Sequence, residues 1–256
     1  MYQDVHVFYF SPCGTTKKIA NAIAKGAGLN PVCYDVTLPL FEAPTLQQGS
    51  LAVFVAPIYM GLVPEIALNR MQQVDGTGCF AAAVVVYGNR AYDDGLLQFG
   101  DVLTGAGFSV IAGGAFIGQH SISAEIATGR PTVQDLRQAE VLGKQLVDKC
   151  ALASPSEPTF PGKRPYKSLS FGKQEIPVTS MACTQCRLCS EKCPTAAINQ
   201  KNSLEVDAAL CIGCMRCVYI CPQHAKQFKF SGIGAKLTRF MLPKITKTKR
   251  PNELFL

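Results

Sequence analysis

Residues 183–222 read CTQCRLCSEKCPTAAINQKNSLEVDAALCIGCMRCVYICP and hold eight of the twelve cysteines of the chain. They contain two copies of the spacing C-x2-C-x2-C-x3-C, each followed directly by proline, and the second copy begins 28 residues after the first. Iron in a cubane cluster is bound by thiolate sulfur, and two-residue gaps let a tight loop direct three thiolates at three corners. The spacing therefore predicts iron–sulfur clusters in this half of the chain.

This part of the sequence resembles the dicluster ferredoxins over residues 179–228. In bacterial ferredoxins of this type the fourth cysteine of each run ligates the other cluster. The resemblance thus implies two [4Fe–4S] clusters with crossed ligands. The first cluster would be held by Cys183, Cys186, Cys189 and Cys221. The second would be held by Cys211, Cys214, Cys217 and Cys193.

Two other interpretations of the cysteines are weaker. Structural zinc sites use two C-x2-C pairs and not two sets of three cysteines followed by Cys-Pro. A disulfide framework is typical of small secreted domains, and at 256 residues this chain is larger than those. Of the other four cysteines, Cys33, Cys79 and Cys150 fit small buried apolar residues.

The N-terminus shows a second pattern. A strand-like run at residues 5–10 leads into SPCGTT at residues 11–16, and a helical pattern of apolar residues follows. Free backbone N–H groups at such a helix start can bind a phosphate. A capped turn between a strand and a helix, without any ligand, would have the same sequence pattern. The loop resembles the phosphate loop of flavodoxins, with Cys13 in place of the usual threonine.

Further strands are predicted at residues 32–35, 51–56, 80–87 and 109–116, with a closing helix at 133–150. Alternating strands and helices predict an α/β doubly wound parallel sheet. Residues 1–150 as a whole resemble a five-stranded flavodoxin domain, which implies FMN. Its phosphate would lie at Ser11, Cys13, Gly14, Thr15 and Thr16. Its ring would lie between Pro57, Tyr59, Met60 and Gly61 on one side and Gly88, Asn89 and Tyr92 on the other.

The rest of the chain is divided by composition. Residues 151–178 are rich in proline and predict an extended linker, and residues 179–230 form the small α+β ferredoxin domain with a hairpin at 199–207. Residues 231–256 predict a short amphipathic helix and a basic tail. That segment either docks on its own ferredoxin domain or anchors an acidic redox partner or a membrane surface.

Charge and composition bound the partners. Residues 1–150 carry nine Lys/Arg against twelve Asp/Glu, whereas residues 151–256 carry sixteen against six. The basic half favours a redox partner with an acidic surface over nucleic acid, because the tail lacks interleaved aromatic residues for base stacking. With 48% hydrophobic and 17% charged residues, the chain is not disordered. No signal peptide or membrane span is evident, and we expect a cytoplasmic protein.

Together the two halves resemble the fused flavodoxin–ferredoxin proteins of anaerobic bacteria. The resemblance implies an electron carrier that passes single electrons between two [4Fe–4S] clusters and one FMN. Two other functions stay open at this point. One is a flavin-dependent reductase of a small acceptor, with His120 or Tyr92 as proton donor. The other is a redox-sensing scaffold that binds nucleic acid through the basic tail. The sequence does not indicate the oligomeric state.

Overall fold

A computed structural model describes residues 4–28, 30–152, 154–167, 176–229, 244, 246, 248 and 250–256. The larger domain contains the strands β1 (Val5–Tyr9), β2 (Val32–Asp35), β3 (Leu51–Pro57), β4 (Phe80–Tyr87) and β5 (Ser109–Ile117). Its helices are α1 (Thr15–Ala27), α2 (Glu65–Met71), α3 (Gly95–Gly105) and α4 (Val133–Cys150). All the predicted strands and the closing helix are present.

The five strands are parallel and lie in the order β2-β1-β3-β4-β5. This order is the flavodoxin-like arrangement of doubly wound folds, so the predicted fold class is confirmed. The strand order reverses at β1, and the loops after β1, β3 and β4 leave the sheet at the same edge. That edge is where ligands of open α/β sheets bind.

The sheet is covered on both faces, which explains why its central strands are apolar throughout. One face packs against α1 and α4 through residues such as Ile19, Ile23 and Leu142. The other packs against α2 and α3 around Phe54 and Phe99. Among the residues that the structure describes, no helix is both long and apolar enough to cross a membrane.

The sheet differs from the prediction at one edge. A sixth strand pairs antiparallel with β5, with Gly113 opposite Phe255 and Ala115 opposite Glu253. Its side chains alternate as in any strand, so Leu254 packs on the α1/α4 face and Phe255 on the α2/α3 face. The apolar end of the basic tail is therefore a strand of the first domain. The predicted helix within residues 231–243 lies outside the described residues.

The proline-rich linker is attached to the surface of the first domain along part of its length. Phe160 packs over Gly100 and Gly113, where a side chain would occupy the same space, and its ring meets Phe255 edge-on at 5.9 Å. Arg164 also forms an ion pair with Asp101 in α3, at 2.5 Å. The prolines thus hold an extended segment that follows the domain surface.

The cysteine-rich part is small and has little regular structure. Its elements are β6 (Val178–Thr179), α5 (Leu188–Glu191), α6 (Arg216–Tyr219) and β7 (Lys226–Gln227), and the C-terminal strand of the first domain is β8 (Glu253–Phe255). β6 and β7 form an antiparallel pair. Ile198 and Val206 form an isolated antiparallel bridge, which places the predicted hairpin between the two cysteine runs.

Candidate metal centres and the adjoining loops

The eight cysteines of the repeat line two separate cavities. The first cavity is lined by Cys183, Cys186, Cys189 and Cys221. The second is lined by Cys193, Cys211, Cys214 and Cys217. Each cavity therefore receives three cysteines from one run and the fourth from the other run. This grouping is the one expected for crossed ligands, and the ligand assignment remains a prediction.

The backbone of the two runs repeats along with the spacing. Three residues of the first run have left-handed backbone angles, with φ of 53° at Gln185, 64° at Arg187 and 53° at Ala196. The residues 28 positions later have nearly the same angles, with φ of 64° at Gly213, 62° at Met215 and 48° at His224. The second of these positions in each run directly precedes the short helix that carries the third cysteine. Two equivalent loops thus direct their thiols inward.

Each cavity is lined by free thiols and by a further polar side chain. All twelve thiols are free of disulfides. Within the described residues, no three His, Cys, Asp or Glu side chains converge on a point that suits a single metal ion. The Ser203 hydroxyl lies beside Cys189 in the first cavity, and the buried Arg216 Nε, which has no partner among the described residues, belongs to the lining of the second. These groups are donors available to the sulfur atoms of a bound cluster.

The surroundings of the thiols set their ionisation. Burial raises the pKa of Cys214 and of Cys217 to about 12. Burial also opposes ionisation of Cys221, but the backbone N–H groups of Lys226, Ala225 and Gln223 outweigh it and lower the pKa. One of these groups, the Ala225 N–H, donates to the Cys221 sulfur at 3.2 Å. Such N–H···S bonds are among the features that tune iron–sulfur centres.

The second cavity lies directly against the loop after β1. The Cys13 thiol donates to the backbone carbonyl of Cys214 at 3.0 Å, and burial raises the pKa of Cys13, which keeps it protonated. The Arg216 guanidinium donates from the other side to the Pro12 carbonyl at 3.1 Å and to the Ser11 carbonyl at 3.5 Å. The cysteine that departs from the flavodoxin pattern therefore joins the two halves of the chain.

Two further residues attach the second cavity to the first domain. The buried Arg70 in α2 donates to the Pro194 carbonyl at 2.6 Å and to the carbonyls of Val36 and Thr37. Ile212 packs on the apolar core beside α2 and α3. Sequence reasoning missed Arg70. The only signal for it is an arginine among the apolar positions of a short helix.

The loop at residues 11–16 has the form expected of an anion site. Gly14 caps α1 with φ of 85°, and no side chain caps the helix. Among the described residues, the backbone N–H groups of Cys13, Thr15 and Thr16 have no acceptor. The Ser11 hydroxyl accepts from the Lys17 N–H at 2.9 Å. Unpartnered N–H groups at the start of a 13-residue helix fit a phosphate.

The loop after β3 contains a tight turn. Tyr59 and Leu62 exchange backbone hydrogen bonds across Met60 and Gly61, both of which have positive φ. A side chain at Gly61 would collide with Asp93 in the loop after β4, so this position requires glycine. Burial raises the pKa of Tyr59, and the neighbouring sulfurs of Cys214 and Cys13 raise it further. Pro57 forms the last residue of β3. The loop thus brings Tyr59 toward the second cavity.

The residues predicted on the other side of the ring contact the C-terminal segment. The Asn89 amide donates to the carbonyls of Thr246 and Thr248 at 2.7 and 3.1 Å and accepts from the Arg250 N–H at 3.1 Å. The Tyr92 hydroxyl donates to the Glu253 carboxylate at 2.7 Å, and burial together with that carboxylate raises the pKa of Tyr92. Sequence reasoning did not foresee that the chain end returns here, and the placement of these two side chains at FMN remains a prediction.

Gly88, the remaining member of that group, lies against His120. A side chain at Gly88 would collide with the imidazole. The His120 Nδ1 accepts from the backbone N–H groups of Ile122 and Ser123, both at 3.2 Å. Burial lowers the pKa of His120, which favours the neutral ring. A neutral imidazole whose Nδ1 accepts carries its proton on Nε2.

Comparison with known proteins separates the two halves in the same way. A family model described as a 4Fe-4S dicluster domain matches residues 182–226. One component of an ion-translocating oxidoreductase complex from Methanosarcina acetivorans is 37% identical over 64 residues. That match covers 25% of this chain and 24% of the relative, so the chain matches about a quarter of the relative's length.

Solved structures match the first domain. A flavodoxin from the domain Archaea is 15% identical, with a TM-score of 0.45, over 58% of this chain and 99% of that one. A Fusobacterium nucleatum flavodoxin bound to flavin mononucleotide is 16% identical, with a TM-score of 0.40, over 57% of this chain and 97% of that one. The strand order alone makes the first domain flavodoxin-like, and the same chain carries the 4Fe-4S dicluster match at residues 182–226.

Proposed function

We propose that this protein transfers single electrons between two [4Fe–4S] clusters and one FMN. The observation that carries the proposal is the seating of the second cysteine set on the first domain, through Cys13 and Arg216 at the loop after β1 and through Arg70 in α2. Electron transfer requires closely spaced centres, and these contacts hold a cluster cavity against a loop that suits the FMN phosphate. The match to a component of an oxidoreductase complex supports a redox role.

Each proposed group has residues to hold it. The first cluster is bound by Cys183, Cys186, Cys189 and Cys221, and the second by Cys193, Cys211, Cys214 and Cys217. The FMN phosphate is bound by the free N–H groups of Cys13, Thr15 and Thr16. When bound, the clusters and FMN supply the redox chemistry. The chain supplies the contacts that hold the second cavity to the loop after β1.

The two cysteine sets differ in exposure, and this difference bears on which set a redox partner contacts. Cys186 is exposed, whereas Cys214 is buried and its carbonyl accepts from Cys13 of the first domain. We infer that redox partners meet the first set and that the second set serves the first domain. The excess of Lys and Arg in residues 151–256 favours partners with acidic surfaces. A cytoplasmic location remains part of this proposal.

The proposal is tested by anaerobic purification with measurement of iron, acid-labile sulfide and FMN, and of the visible spectrum before and after dithionite. About eight iron, eight sulfide and one FMN per chain are expected from two cubanes and one flavin. A full iron content with no flavin, even after FMN is added, would overturn electron transfer to FMN. A chain that binds zinc and no iron would overturn the cluster assignment.

One observation favours reduction of a small acceptor as a second function. His120 is held as an Nε2–H donor beside Gly88, one of the residues predicted at the flavin ring. A donor at this place suits delivery of a proton to a reduced acceptor. Turnover of quinones or nitro compounds by the reduced protein, lost in His120→Asn with FMN content unchanged, would establish this function. Equal turnover in the variant would exclude His120 as the donor.

A further inference from the structure

Lys226 is a cation in the interior of the cysteine-rich part. Its side chain is among the largest that are fully buried, with 2% of the residue exposed. Its ammonium donates to the Thr179 hydroxyl and to the Ser203 carbonyl, both at 2.7 Å. Both acceptors are neutral, and in the described part of the chain no carboxylate forms an ion pair with Lys226. Burying a charge without an opposite charge is costly.

The position of Lys226 indicates where the opposite charge belongs. Lys226 lines the first cavity together with its four cysteines. The neighbouring Ala225 N–H donates to the Cys221 sulfur at 3.2 Å, so the backbone next to Lys226 also lies at this cavity. A cluster bound by four thiolates is an anion, and each electron that it accepts adds negative charge.

The equivalent position in the first cysteine run differs from Lys226 in its side chain. The residue 28 positions earlier is Ile198, which is also buried, at 3% exposure, and lines the second cavity. The preceding residues, Ala197 and Ala225, are both buried alanines. Equivalent backbone sites thus place an isoleucine in the lining of the second cavity and a lysine in the lining of the first. An isoleucine fills the equivalent buried site in the first run, so packing does not explain why a lysine occupies position 226.

We propose that Lys226 is the counter-charge of the cluster in the first cavity and raises its reduction potential. This inference rests on the proposed function, because it requires a cluster at that site. A fixed positive charge stabilises the reduced, more negative state over the oxidised state. The first cluster, which is the more exposed, is thereby kept able to accept electrons from a partner.

A structural role for the lysine is the alternative. The ammonium joins β6 to the hairpin between the cysteine runs, through Thr179 and Ser203. Lys226→Gln separates the two roles, because glutamine keeps a hydrogen-bond donor and loses the charge. Lys226→Met removes both the charge and the donor. Lys226→Arg keeps the charge. Lys201→Gln, at an exposed lysine of the same domain, is the matched control.

The experiment is an anaerobic redox titration of the full iron-loaded chain, followed by electron paramagnetic resonance, with iron counted in every sample. In Lys226→Gln and in Lys226→Met the one-electron reduction equilibrium of one cluster is expected to fall roughly tenfold. That change corresponds to a potential about 59 mV lower. The potential of the other cluster is expected to shift less. In Lys226→Arg and Lys201→Gln both potentials are expected to stay near those of the natural protein.

The outcomes are distinct. A normal potential in Lys226→Gln with full iron content would overturn the inference and leave a structural lysine. If the neutral variants lose one cluster, retention of that cluster in Lys226→Arg supports the counter-charge, and loss in all three overturns it. Absence of iron from the natural protein would instead be a failure of the proposed function.

Discussion

The two cysteine cavities have the same backbone and different surroundings. Each is formed by a C-x2-C-x2-C loop with left-handed residues at matching positions, and each takes a fourth cysteine from the other run. The first cavity is open at Cys186 and contains the buried Lys226. The second is lined by Ile198 and is seated on the first domain through Arg216. A duplicated loop can thus provide two centres with separate tasks, because what packs around each loop differs.

The largest effect is expected from the crossed ligands. Cys193→Ala should empty the second cavity and Cys221→Ala the first, each with loss of about four of about eight iron atoms. Alkylation of the freed thiols under native conditions, followed by mass spectrometry, identifies the emptied cavity. In Cys193→Ala the label should fall on Cys211, Cys214 and Cys217. Label on Cys183, Cys186 and Cys189 instead would show that the runs do not exchange ligands.

An intermediate effect is expected at the contact between the halves. Arg216→Met removes hydrogen bonds from a charged donor to the carbonyls of Pro12 and Ser11. The loss in the free energy of unfolding should be about 1.5–3 kcal/mol, measured by urea denaturation of the iron-loaded chain. Arg187→Met changes an exposed arginine at the first cavity and should stay within about 0.5 kcal/mol. Equal losses in both variants would mean that the second cavity is not specially anchored.

The smallest effect is expected from apolar packing at the same contact. Ile212→Ala trims a partly buried side chain on the core of the first domain and should cost about 1–2 kcal/mol, less than a fully buried site. Its counterpart 28 residues earlier is the exposed Thr184, where Thr184→Ala should change the unfolding free energy by less than about 0.5 kcal/mol. Thermal unfolding of the two variants side by side measures the difference. A larger loss in Thr184→Ala would contradict the asymmetry between the cavities.

Features that depend on local sequence patterns could be predicted: the cysteine-rich centres and the parallel sheet. The cysteine spacing predicts iron–sulfur clusters, and the resemblance to dicluster ferredoxins implies the crossed grouping of thiols that the lining of the two cavities matches. The parallel sheet also follows, because buried strands of this kind are continuous apolar runs between helical patterns. Residues 51–56 and 80–87 were found for that reason, and the structure extends the first of them by Pro57.

Contacts between segments far apart in the sequence could not be predicted from local patterns. Cys13 meets Cys214 across 201 positions, and Asn89 meets Thr246 across 157. Nothing in the local pattern around Asn89 distinguishes a flavin contact from a contact with the chain end, since an amide serves both. The strand at residues 253–255 is too short and too mixed in composition to show a period. Such features depend on the whole fold.

The C-terminal strand makes the cysteine-rich part an insertion within one sheet. The chain leaves the first domain along the linker and comes back to pair β8 with β5, where Asn252 also accepts from the Ile117 N–H and donates to Asp135. The inserted part is therefore tied to the first domain at both ends. At one end the linker continues from α4, and at the other end the chain continues into β8, which pairs with β5. Cutting the peptide chain between the two halves would leave the pieces joined, and a protease nick would be visible only after denaturation.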